Sequence, residues 1–122
     1  MKLNEINDLV QNSLEDMKAV DIVQIDVSGK SSMTDVLFFA TGNSTRHVKS
    51  IAENVVVDAK KSKLDVLGTE GKGSSEWVLV DLNDVIVHVM LENTREFYQL
   101  EKLWEADDAD DKSVDQAIAD KV

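Results

Sequence analysis

Trp77-Val78-Leu79-Val80-Asp81-Leu82-Asn83-Asp84-Val85-Ile86-Val87-His88-Val89-Met90-Leu91 is the stretch whose reading decides the fold. Two apolar runs, Trp77 to Val80 and Val85 to Leu91, flank four turn-forming residues, which is the pattern of a β-hairpin. Asn83 tolerates the left-handed backbone that such turns need, and Asp84 can fold its carboxylate back onto the turn amides. The second run is apolar on both faces, as a central strand is.

Outward from the hairpin the periodicities continue. On its C-terminal side, Asn93 with Glu96 three residues later forms a capping box, opening a helix whose Phe97, Leu100 and Trp104 share one face. On its N-terminal side, Leu64 to Leu67 reads as a short strand. Before it, Val48, Ile51, Ala52, Val55 and Ala59 make a helical stripe that Asn43 or Ser44 can cap, with Lys60, Lys61 and Lys63 suiting the negative helix end. Val36 to Ala40 and Asp21 to Val27 read as strands ending at Thr41-Gly42 and Ser28-Gly29. Ile6, Leu9, Val10, Leu14, Met17 and Val20 recur at helical spacing, with Asn4 or Asn7 as the N-cap. The order helix, two strands, helix, three strands, helix predicts an α/β fold, a mixed five-stranded sheet flanked by helices.

At 122 residues the chain fits one domain with one hydrophobic core. Cysteine is absent, which excludes disulfides and thiolate metal sites and suits a reducing compartment. The N-terminus lacks the apolar core of a signal peptide and no apolar run approaches a membrane span, so a cytoplasmic protein with no membrane association is expected. Thirteen Lys and Arg against 24 Asp and Glu give a net charge of -11, a sign that repels phosphate, favours a basic protein partner and disfavours direct nucleic-acid recognition. Seven of the acids lie between Glu105 and Val122, where Asp107-Asp108-Ala109-Asp110-Asp111 offers nothing large to bury. Residues 1–104 therefore read as the folded domain, and 105–122 as an acidic, mobile C-terminal tail.

Catalytic motifs fail on inspection. A P-loop ending in Gly71-Lys72 would need glycine at Val66 and a hydroxyl at Gly73, and no three glycines have dinucleotide-binding spacing. Gly29-Lys30-Ser31-Ser32 followed by Asp35 resembles the opening of the nucleotidyltransferases, whose chemistry needs two carboxylates on one strand face, two residues apart, to share divalent ions. Here Asp35 is followed by Leu37, so that paired-metal site cannot form on this strand. His47 opens a helix and His88 sits within an apolar strand, so each reads as a cap or core histidine without a triad partner.

Five blocks in order carry a resemblance: Gly29-Lys30-Ser31-Ser32-Met33-Thr34-Asp35, Ala40-Thr41-Gly42-Asn43-Ser44-Thr45-Arg46-His47-Val48, Trp77-Val78-Leu79-Val80-Asp81, Asp84-Val85-Ile86-Val87-His88-Val89-Met90 and Arg95-Glu96-Phe97-Tyr98-Gln99-Leu100-Glu101-Lys102-Leu103-Trp104. Over Leu3 to Trp104 the chain resembles the ribosomal silencing factor (Iojap) family, with the acidic tail outside that pattern. The resemblance implies a nucleotidyltransferase-like fold without catalytic carboxylates, enzymatic activity, cofactor or metal. It implies binding to the large ribosomal subunit at ribosomal protein L-fourteen, on the intersubunit face. Joining of the small subunit is thereby hindered, and translation repressed when nutrients run low. Within that frame Trp77 reads as the anchor, with a core tryptophan as the alternative. Leu82 supports it at the turn, Asp81 and Asp84 face basic groups, and Met90, Arg95 and Tyr98 lie nearby. A homodimer off the ribosome is compatible with the sequence, which leaves the oligomeric state open. The rival reading is a residual nucleotidyltransferase whose second metal ligand comes from elsewhere.

Overall fold

The computed structural model describes residues 1–105; the acidic stretch beyond them and the side chain of Trp104, both assigned roles from sequence, lie outside the described residues. The elements are α1 (Leu3–Asp16), β1 (Val20–Asp26), β2 (Val36–Gly42), α2 (Thr45–Lys61), β3 (Gly68–Glu70), β4 (Trp77–Asp81), β5 (Val85–Leu91), α3 (Glu92–Tyr98) and α4 (Leu100–Glu105). The strands form one sheet in the order β1-β2-β5-β4-β3, parallel between β2 and β5 and antiparallel elsewhere. The expected mixed five-stranded sheet is what forms, with the apolar-throughout β2 and β5 side by side in its interior.

The stripe Val48, Ile51, Ala52, Val55 and Ala59 of α2 and Ile6, Val10 and Leu14 of α1 bury one face of the sheet against Val36, Phe38, Ala40, Val78, Val80, Val85, Val87 and Val89. The opposite face gathers Leu37, Phe39, Leu79, Ile86, Met90 and Trp77, and Leu100 packs into the same cluster. The start of α2 sits hard against the end of β2. A Cβ on Gly42 would come within 2.8 Å of Val48 Cγ2 and 2.9 Å of its amide nitrogen, so only glycine lets the chain turn there. Ser44 caps α2 by accepting the His47 amide at 3.0 Å, one of the two caps expected.

Four local expectations are corrected. Helix α1 begins at Leu3 with Lys2 as its cap residue, not Asn4 or Asn7, because the Glu5 carboxylate accepts the Lys2 amide at 3.0 Å and fixes the first turn one step earlier. Leu64 to Leu67 is not a strand. Pairing with β4 begins one residue later, at Gly68 opposite Asp81, and Leu67 lies 60% exposed. In the hairpin Asn83 does take the left-handed backbone, at φ 73°, but the carboxylate that accepts its amide, at 2.8 Å, is that of Asp81, not Asp84. The C-terminal helix is two helices. Residue 93 lies inside α3 with no capping box, and Gln99 at φ 49° ends that helix, so Phe97 and Leu100 fall on different faces.

Candidate functional site

The sheet register divides the residues read as partner-binding into two groups. Trp77 pairs with Met90 at one end of the hairpin, while Asp81, Leu82 and Asp84 sit around the turn at the other, about 13 Å away at the rise of a strand. Arg95 and Tyr98 follow β5 and join the first group. Leu82 is 2% exposed and Met90 1%, so both are packed, whereas Asp84 is exposed. Asp84 meets its neighbours through its main chain, its carbonyl accepting the amides of Asp35 and Val36 and the hydroxyl of Thr34.

Trp77 is 8% exposed, the burial of a core residue. Its indole Nε1 donates to Nδ1 of His88 at 2.9 Å, and the fully buried His88 ring stacks on Phe39 with centroids 4.9 Å apart. Two residues apart on neighbouring strands and on one face, Trp77 and His88 are the diagonal pair that an antiparallel ladder brings within reach. On its other side the indole meets Tyr98 at 4.8 Å, and Tyr98 meets Phe97 edge-on at 5.0 Å. The result is a continuous aromatic ladder from the sheet interior to solvent, in which Tyr98 is 53% exposed and Phe97 78%. Such a pair of exposed aromatics is the surface that protein interfaces favour.

Sequence reasoning placed Phe97 on one helix face with Leu100 and Trp104 and so missed it as a site residue. No local signal exposes it, because its position depends on the break at Gln99. It also missed the polar setting of this step. Glu76, Asn93, Thr94, Phe97 and Tyr98 line an open recess of about 370 Å³, and Asn93 is shared with a neighbouring cleft of about 470 Å³ lined by Val20, Thr41, Gly42, Asn43, Leu91 and Glu92. Glu76 in the recess and Glu92 in the neighbouring cleft are both exposed, so carboxylates border the aromatic step. An apolar centre with an acidic rim is complementary to a basic protein surface.

Arg95 braces this end of the molecule. Its Nη1 donates to the Asp21 carbonyl at 2.7 Å and to Thr41 Oγ1 at 2.9 Å, and its Nε pairs with the Glu101 carboxylate. One guanidinium thus ties β1, β2, α3 and α4 together and fixes where Tyr98 stands. His47 is a cap: Nδ1 accepts the Asn43 amide at 2.9 Å and Nε2 lies 2.7 Å from the Met17 carbonyl, which places the start of α2 against the end of α1. Leu37, at the position where a nucleotidyltransferase strand carries its second carboxylate, is completely buried.

Comparison with known proteins establishes the family and agrees with the fold. Residues 2–121 match the family model described as "Ribosomal silencing factor during starvation", so the match runs through the acidic stretch that the block-by-block resemblance leaves out. The chain is 44% identical over 97 residues to the ribosomal silencing factor of Haemophilus influenzae, covering 80% of this chain and 95% of that one. It is 45% identical over 104 residues to that of Chromobacterium violaceum, covering 85% of each. A mouse relative named "Mitochondrial assembly of ribosomal large subunit protein 1" is 34% identical over 108 residues, 86% of this chain and 47% of the relative. A crystal structure of a Chromobacterium violaceum protein superposes with a TM-score of 0.85 at 44% identity, covering 87% of this chain and 88% of that chain.

Proposed function

The chain belongs to the ribosomal silencing factor family, and we propose that it binds the large ribosomal subunit at ribosomal protein L-fourteen, occupies part of the intersubunit face and represses translation under nutrient limitation by blocking joining of the small subunit. It acts in the cytoplasm, by occupancy and without catalysis. The observation that carries this reading is the solvent-facing aromatic step of Phe97 and Tyr98, built on buried Trp77 and bordered by exposed Glu76 and Glu92. Ribosomal proteins are commonly basic, so an acidic rim steers approach while the aromatics supply the desolvated centre of the contact. The hairpin turn, with Asp81 and exposed Asp84, contributes charge at the far edge of the footprint and no aromatic anchor. Off the ribosome the same aromatic face is free to pair with a second copy, which sedimentation of the isolated chain at rising concentration checks.

Cosedimentation with isolated large subunits tests the proposal. The parent chain should travel with the subunits at one copy each, and Tyr98→Ala should weaken binding by about 2 kcal/mol or more, as loss of an interface hot spot does. A parent that stays in the supernatant, or a Tyr98→Ala variant that binds like the parent, would overturn it.

A further inference from the structure

The net charge of -11 averages over an uneven surface. Helix α2 and the two residues after it carry Arg46, Lys49, Lys60, Lys61 and Lys63 against only Glu53 and Asp58, a local excess of cations in a strongly acidic chain. Positions 46, 49, 53, 57 and 60 recur at three- and four-residue intervals and so share one helix face. Val48, Ile51, Ala52, Val55 and Ala59 turn the other face into the core, which leaves Arg46, Lys49, Lys60, Lys61 and Lys63 in solvent. Glu53 stands in the middle of the stripe but faces Lys72, whose Nζ lies 3.9 Å from its carboxylate. Among the described residues none of the five cations is in an ion pair.

Helix stability accounts for only part of this stripe. Lys60 and Lys61 in the last turn complement the helix dipole, but Arg46 in the first turn and Lys49 just after it stand where the dipole disfavours cations, and the first turn holds no acid. Flexible lysines without fixed partners are suited to phosphate, which they meet as point charges. At physiological salt the screening length is about 8 Å, so the acids at the two ends of the sheet do not cancel a field spread along a helix about 25 Å long. Exposed Glu5, Asp8, Glu15 and Asp16 on neighbouring α1 bound the basic strip on one side. The strip also starts at the end of the sheet that carries the aromatic step, on the opposite face. Helix α2 leaves the end of β2, which is parallel to and paired with β5, and β5 leads directly into Phe97 and Tyr98.

We infer that the exposed face of α2, from Arg46 through Lys49 to Lys60 and Lys61, is a second docking surface that takes RNA backbone phosphate while the aromatic step engages protein. The inference rests on the chain being a large-subunit-binding protein. It revises the expectation drawn from net charge: free RNA is repelled by the chain as a whole, whereas RNA presented next to the bound protein partner meets only the basic strip.

The test compares the parent with the triple variant Arg46→Gln, Lys49→Gln, Lys60→Gln on two ligands, isolated ribosomal protein L-fourteen and whole large subunits. The variant should bind L-fourteen as the parent does, and whole subunits about tenfold more weakly at 0.15 M salt. The slope of its subunit affinity against salt should fall by about 2, since three phosphate contacts contribute about 0.7–0.9 each. A variant equal to the parent on both ligands overturns this inference and leaves the binding proposal standing; a parent that binds neither overturns both. A photo-crosslinking amino acid at Val57, 46% exposed in the middle of the stripe, should attach to RNA on irradiated complexes. Attachment to a ribosomal protein instead would mean that an acidic protein surface occupies this face and would overturn the assignment to RNA, as would no cross-link at all.

Discussion

The indole of Trp77 does two jobs that substitution separates. Its bulk fills the cluster with Phe39, Leu79 and Met90, and its N–H occupies Nδ1 of His88. Trp77→Ala should therefore lower stability by about 3–5 kcal/mol, as large-to-small changes in a core do, and any loss of binding will be mixed with loss of fold. Phe97→Ala, at a side chain 78% exposed, should leave melting within about 0.5 kcal/mol of the parent while weakening subunit binding. Melting curves recorded beside binding isotherms decide the matter: if Trp77→Ala melts like the parent, the ladder is not anchored where its burial puts it. A smaller effect sits at Asp26. The Ser28 hydroxyl, and then the Ser28 amide, donate to its carboxylate at 2.5 and 2.9 Å and hold its pKa below the ordinary aspartate value. A carboxyl depressed on folding contributes stability above its unfolded value, and that contribution disappears as pH falls through the folded one. Asp26 is exposed, so the effect on unfolding is slight and confined to the acid limb. Its own titration is the sensitive readout. Ser28→Ala should move the NMR midpoint of the Asp26 carboxyl upward, and an unmoved midpoint would show that the serine is not the cause.

Among the non-glycine residues in left-handed backbone are Asn83 in the β4–β5 turn at φ 73° and Gln99 between α3 and α4 at φ 49°, both next to elements that carry the site. Asparagine is among the side chains that tolerate this conformation, so Asn83→Gly should be close to neutral and Asn83→Ala should cost about 1 kcal/mol. Glutamine has no such dispensation, and Gln99→Gly should raise stability by about 0.5–1 kcal/mol, a few degrees of melting temperature, without altering what Phe97 and Tyr98 present. A fall in melting temperature would mean that the Gln99 side chain supports the break in some other way. The contrast explains what could be read from sequence. Turn chemistry and the doubly apolar run of β5 are local signals, so hairpin, central strand and α2 with a cap at Asn43 or Ser44 are legible in the sequence. The break at Gln99 is not, because no glycine or proline marks it. It is set by Leu100 packing into the second core cluster and by the hold of Arg95 on Glu101, Thr41 and the Asp21 carbonyl. The same applies to β3, whose start is dictated by the Gly68–Asp81 pairing and not by the apolar alternation of Leu64 to Leu67. Tyr98 and Arg95 entered the candidate site through family resemblance alone. Phe97 could enter only once the helix was seen to end.

At the scale of the whole molecule the surface is divided, with an acid-rimmed aromatic step at one end of the sheet, exposed Asp84 at the other, and basic residues along α2. The occupancy proposed for such a chain makes a quantitative demand that catalysis does not. Inhibition must saturate at one chain per large subunit, and it must need neither nucleotide nor added reaction cofactor. Order of addition should matter as well: chain supplied before the subunits meet should block their joining, while chain supplied to intact ribosomes should act slowly or not at all, because the proposed site is closed inside them. Salt gives an independent handle, since screening weakens electrostatic steering of association more than it weakens a packed aromatic contact. Asp84→Asn keeps side-chain size, removes an exposed charge and leaves the main-chain bonds of Asp84 to Asp35 and Val36 in place. It should therefore slow association and flatten its salt dependence without lowering the melting temperature. Light scattering of subunit joining, followed as the chain is titrated in, measures the stoichiometry directly. Half-inhibition near one chain for every two large subunits, at subunit concentrations well above Kd, is the occupancy result; inhibition complete at far less than one chain per subunit would indicate turnover and would sink the steric reading.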